Sequence, residues 1–193
     1  MKQIDAYHQI LNIAESLIQS RGYNAFSYRD IADAVGIKTS SIHYHFPTKA
    51  DLGKAVVTQH IEALYADLEK VMHDPKLSCQ KKLDLFFDGI FAKTYLADRK
   101  MCLGGMLASD VLTLPEIIQE EVRTFFEKIE DWLEQLLLLG KKQNEFHIGK
   151  NIKEEVLLIL SVLEGALLLA RLYHDEGRLL IARKQIKARL TKA

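Results

Sequence analysis

The chain has 193 residues, 48% of them hydrophobic and 27% charged, with 26 basic and 26 acidic side chains and a formal net charge of zero. That is enough apolar material for a sizeable core and excludes a low-complexity or disordered chain. The balanced charge excludes a global basic field, so any nucleic-acid binding must rest on a local patch.

Helical periods fill most of the sequence. Ile10, Leu11, Ala14, Leu17 and Ile18 form the apolar face of a first helix that Gly22 ends. Ser27 with Asp30 three residues on is a capping-box-like start for the short helix "YRDIADAV", which Gly36 closes. A second short helix follows in "GIKTSSIHYHFPTK". Thr48 with Asp51 opens a longer one, striped by Val57, Ile61, Leu64, Leu68 and Val71, and Pro75 closes it. Another begins near Ser78 and carries Leu83, Phe87, Ile90, Phe91 and Tyr95. Residues 99–114 read as less regular, with Gly104-Gly105 as a break. Pro115 suits the first turn of a long helix striped by Ile118, Val122, Phe125, Ile129, Trp132 and Leu136. "GKKQNEFHIGKN" reads as a loop. A strongly apolar helix from Ile152 to Tyr173 and a basic one from Arg178 onward complete an all-α chain.

The first residues lack the continuous apolar run of a signal peptide. Cys79 and Cys102 form neither a Cys-x-x-Cys motif nor a disulfide framework. The run from Val156 to Ala170 is interrupted by Glu164 and short for a membrane span. These features predict a soluble, cytoplasmic protein with no membrane partner.

Two short helices joined by a glycine-containing turn describe a helix-turn-helix. Its second helix is rich in small hydroxyl side chains, as a helix lying close to base edges in a major groove requires. Longer groups at its flanks reach phosphates and fix register. With Gly22-Tyr23, Ser27, Ile31-Ala32, Gly36-Ile37, Ile42-His43-Tyr44-His45-Phe46, Lys49 and Leu52 at these spacings, residues 10–52 resemble the DNA-binding domain of the TetR family of bacterial transcriptional regulators.

The resemblance implies a three-helix DNA-binding domain over 1–52 and a larger helical domain over 53–193 for ligand sensing and dimerisation. It implies that Arg29 reaches a base edge or phosphate and that Tyr28 lies near the backbone. Thr39, Ser40 and Ser41 would face bases, and Tyr44 a base or the sugar-phosphate chain. His43, His45 and Lys49 would contact phosphates. Ile31, Ala32, Val35, Ile42 and Phe46 would form the small domain's core. The family commonly has tyrosine at the position of His43 and glycine near Ser40, so the operator cannot be borrowed. Residues 1–54 hold six Lys/Arg and five Asp/Glu, a net of +1. Affinity is therefore expected from a dimer that presents two recognition helices about 34 Å apart to a palindrome.

The helix from Ile152 is apolar nearly all round and needs covering on two sides. Leu157, Leu160, Ser161, Gly165 and Leu168 are the expected dimer contacts. The resemblance also implies a small-molecule effector, with the helix from Thr48 as the lever that transmits its binding. Phe87, Phe91, Tyr95, Phe125 and Trp132 are candidate pocket walls, although such stripes are more often core packing. Glu164 is a candidate partner for a cationic ligand. Cys102 lies in "MCLGGMLASD", a stretch similar to one branch of the family that senses oxidants or electrophiles, and Arg99, Lys100 and a helix start would favour its thiolate. The basic tail reads as a solvated helix face. His43 and His45 lie two apart, on diverging sides of a helix, which argues against a metal site. Neither metal nor cofactor is expected, and no catalytic motif is present. The resulting expectation is a homodimeric repressor, released from its operator by a ligand or by oxidant or electrophile stress. The alternative is a helical interaction module on the same fold that does not read DNA.

Overall fold

A computed structural model describes residues 6–149 and 151–191. Among them are nine α-helices, two short 3-10 turns and no strand, as expected for the all-α class. In chain order the helices are α1 (Ala6–Arg21), α2 (Tyr28–Val35), α3 (Thr39–His45), α4 (Lys49–His73), α5 (Cys79–Lys93), α6 (Leu103–Ser109), α7 (Glu116–Lys142), α8 (Ile152–Tyr173) and α9 (Gly177–Thr191). Contacts divide the chain into two compact units. One comprises Met1–Ala63 with Leu103–Phe125, the other Leu64–Cys102 with Phe126–Ala193.

In the first unit, α1 turns Ile10, Leu11, Ala14 and Ile18 inward, and α2 and α3 pack on it. Both start signals form. The Asp30 carboxylate accepts from the Ser27 N–H at 2.7 Å and from its hydroxyl at 2.6 Å. The Asp51 carboxylate accepts from the Thr48 N–H at 2.9 Å and from its hydroxyl at 2.7 Å. The Ser27 bonds hold the Asp30 pKa below its ordinary value. Gly36 takes a left-handed φ of 77° to end α2, a conformation that glycine adopts without a Cβ penalty.

The Gly104-Gly105 pair is no break: it lies inside α6, which packs against α1. A Cβ on Gly104 would sit 2.3 Å from the Phe125 ring, so this glycine serves close packing. Gly140, expected in a loop, lies within α7 for the same reason, because a Cβ there would meet the Phe146 ring at 2.1 Å. The loop proper therefore starts after Lys142, and its Lys150 is outside the described residues.

In the second unit, Trp132 is fully buried, stacks on Phe86 at a centroid distance of 5.4 Å, and donates its indole N–H to the Leu68 carbonyl at 3.0 Å. α8 packs on α9 and buries Val156, Ile159, Leu160, Leu163, Ala166, Leu167 and Ala170. By length and composition α8 could cross a membrane, and 33% of its most apolar 18-residue window is buried within the chain.

The basic residues of α9 are largely paired. Asp84 of α5 accepts from Arg183 and Lys187 at 2.7 Å each, Arg183 also reaches Asp88 at 2.6 Å, and Arg189 pairs with Glu155 at 2.7 Å. Lys192 and Ala193, the end of the basic tail, lie outside the described residues. Burial pushes the Asp84 pKa up, but hydrogen bonds from Lys187 and Arg183 outweigh it and the net shift is down. A carboxylate with a lowered folded pKa stabilises the fold above its unfolded value and loses that contribution as pH falls through the folded one. Asp84→Asn is expected to cost about 1–3 kcal/mol at neutral pH. The variant and the native chain should converge in melting temperature as pH drops below the ordinary carboxyl value of 3.8. Thermal melts across that range check this.

Candidate nucleic-acid interface

The seven residues of α3 divide by helical position. Ile42 is fully buried and holds the helix to the core, and Phe46, which closes it, is also buried. Thr39, Ser40, Ser41 and His43 are exposed, and Tyr44 projects with 85% of its surface free. Arg29, in the first turn of α2, is exposed too. These six groups form the outward set that the sequence assigns to bases and phosphates. Val35, expected in the core, is half-buried.

Three other residues of the predicted set are engaged inside the domain. Tyr28 donates its hydroxyl to the Phe46 carbonyl at 2.8 Å, and its ring packs on His43 at 4.7 Å. His45 is half-buried, with its ring edge-on to Tyr7 at 5.8 Å and to Tyr44 at 5.2 Å. Lys49 donates to the Phe26 carbonyl, and its ammonium lies over the rings of Phe26 and Tyr23. Tyr7, which the sequence reading passed over, stacks on Phe46 at 5.0 Å and so fixes the end of α3. Its aromatic ring three positions before Ile10 was the available signal.

The predicted pocket walls fall in both units. Phe87, Phe91 and Trp132 are buried in the second unit, whereas Phe125 is buried in the first, where it packs on His60 at 5.8 Å. Tyr95 does not continue the stripe of Phe87 and Phe91, because α5 ends at Lys93. Two clefts occur elsewhere. One of about 450 Å³ is lined by Tyr7, His8, Leu11, Lys54, Thr58 and Glu62 among others, and one of about 250 Å³ by Glu130, Asp131, Glu134, Lys153, Val156 and Leu157.

Cys102 is half-buried just before α6 and shares a hydrogen bond with Glu164. The other Glu164 oxygen, Oε2, is buried without a partner. Burial raises the Glu164 pKa, and the Cys102 bond partly opposes this. The group bonded to Cys102 is thus an acid, while Arg99, expected to activate it, is turned to His174. Cys79 is buried, and burial together with Glu145 pushes its pKa to about 11, which makes it an inert thiol.

On α8, Leu157, Ser161, Gly165 and Leu168 lie along one outward stripe that Leu172 extends, with Leu157 61% and Leu168 57% exposed. Leu160 is not on it: it is 7% exposed and faces the chain's own core.

The family described as bacterial regulatory proteins, tetR family, matches residues 10–56, from α1 into α4. A TetR transcriptional regulator from Legionella pneumophila, known from its crystal structure, superposes with a TM-score of 0.93 at 44% identity, over 98% of this chain and 100% of that one. A TetR-family regulator from Agrobacterium tumefaciens gives 0.90 at 30% identity, over 97% and 98%. The HTH-type transcriptional repressor KstR2 of Mycolicibacterium smegmatis is 27% identical over 78 residues, 40% of this chain and only 38% of that repressor. Likeness to the Legionella regulator extends far beyond the helix-turn-helix, through every helix that follows it, and the chain belongs to the TetR family of DNA-binding transcriptional regulators and to no class of enzyme.

Proposed function

We propose that the protein is a homodimeric, cytoplasmic repressor that reads a palindromic operator and releases it on a small-molecule signal or on oxidant or electrophile stress. The outward face of α3 carries this reading. Ile42 anchors the helix while Thr39, Ser40, Ser41 and Tyr44 stand free, beside Arg29 and His43. Short hydroxyls match base edges, and the longer groups match phosphates. Similarity to a repressor over 78 residues supports repression. The exposed leucine stripe of α8 supports a second copy as partner, because surface leucines in such a row are costly unless covered.

Residues 1–52 read DNA, and residues 53–193 dimerise and sense. Glu164, whose buried Oε2 has no partner, and Cys102, hydrogen-bonded to the same carboxyl group, support that part as the receiver of the signal. A signal releases DNA only by binding the DNA-incompetent arrangement better. Ser41→Ala and Tyr44→Ala are expected to change sequence preference at one or two operator positions by about 1–3 kcal/mol each. Binding to a library of singly substituted sites checks this. Uniform weakening across the library would reduce both residues to positioning groups.

A further inference from the structure

Two hydrogen bonds join the start of the helix-turn-helix to its end. Tyr28, the first residue of α2, donates to the carbonyl of Phe46, which closes α3. Lys49, the first residue of α4, donates to the carbonyl of Phe26, which precedes the cap of α2. One bond runs from 28 to 46 and the other from 26 to 49, so they are nested around the whole α2–α3 segment. Both acceptors are main-chain carbonyls outside any helix, which need a donor when drawn away from water.

The Lys49 ammonium also lies over two aromatic faces, 4.1 Å from the Phe26 centroid and 4.8 Å from that of Tyr23, and both rings are buried. Burial lowers the Lys49 pKa, against the pull of the Asp30 carboxylate. Burial, with Asp51 and Tyr23, pushes the Tyr28 pKa to about 12, so its hydroxyl remains a donor at every physiological pH. The ammonium of this half-buried side chain is thus tied inward, to a carbonyl and over two ring faces.

We propose that Tyr28 and Lys49 serve operator binding from inside the domain, as a double clasp that fixes α2 and α3, and not as contacts to the DNA backbone. The inference rests on the DNA-reading function proposed above. The two roles differ in their salt signature. A lost phosphate contact reduces the number of counterions released and makes the plot of log affinity against log salt shallower by about one unit. A lost clasp leaves every phosphate contact available but misplaces the recognition helix, so affinity falls alike at all salt concentrations.

Lys49→Met keeps the apolar stem and removes the donor, and Tyr28→Phe removes a single hydroxyl and leaves the ring on His43. Each is measured twice, by melting the DNA-free protein and by titrating a fluorescent duplex that carries the palindrome selected by the native chain, from low to moderate salt. The clasp predicts a melting point lower by about 2–4 °C in each variant. It also predicts affinity weaker by roughly three- to tenfold with the native slope retained. A slope shallower by about one unit for Lys49→Met, with the melting point unchanged, would overturn the inference. Should Lys49→Met fail to fold, Tyr28→Phe decides by the same two readings. A native chain that bound no duplex would refute the DNA-reading function itself. The melting points would then still decide whether the clasp holds the segment.

Discussion

Leu168→Glu is expected to weaken operator binding by roughly two to four orders of magnitude while leaving each subunit folded. The substitution falls far from the recognition helix in sequence, on the stripe of α8 that includes Leu157, Ser161, Gly165 and Leu172. Leu168 is more than half exposed, so the single chain loses little packing. In a dimer that buries the stripe, two carboxylates would enter an apolar interface without partners, which costs several kcal/mol. A monomer presents one recognition helix from a domain of net charge near zero, and the gain from linking two half-site contacts disappears. Sedimentation should show a monomer, with circular dichroism unchanged at low temperature. A dimeric Leu168→Glu protein would place the subunit interface elsewhere.

Trp132→Ala is expected to destabilise the protein by about 3–5 kcal/mol. The indole is fully buried, stacks on Phe86 at an interplanar angle of 20°, and ties α7 to the Leu68 carbonyl of α4. Alanine leaves a cavity that the neighbouring helices can fill only in part. For a chain of this size the melting temperature should fall by roughly 6–20 °C. Trp132→Phe keeps an aromatic ring against Phe86 and gives up the hydrogen bond, so a loss of about 1–2 kcal/mol is expected. Melts followed by circular dichroism check both, because Trp132 is the only tryptophan and its fluorescence disappears with it. If Trp132→Ala melted within a degree of the native chain, the site would be collapsible or wet rather than close-packed.

Caps and stripes were legible because they are local. Ser27 with Asp30 and Thr48 with Asp51 each needed only a three-residue spacing, and both form. The outward set on α3 was legible for the same reason, since Ile42 fixes which way the helix faces. What spacing alone could not show depended on which side chains pack together. Gly104 reads as a breaker until the Phe125 ring is seen to occupy its Cβ position, and Gly140 likewise with Phe146. Leu160 and Leu157 are indistinguishable by composition, and only the packing of α8 turns one inward and the other out. Lys49 and Tyr28 lie where a DNA reader would place phosphate contacts. Their long side chains allow several targets, and the carbonyls they reach, Phe26 and Phe46, lie 23 and 18 residues away.

The central claim is that two copies of this chain read a palindrome through α3. It is tested most directly by selecting bound duplexes from a random DNA library with the purified, reduced protein at low salt. The account predicts an inverted repeat whose half-site centres lie about one helical turn apart. No recovered motif, even after the protein is denatured and refolded to strip any bound ligand, would contradict it, as would a motif with a single unpaired half-site.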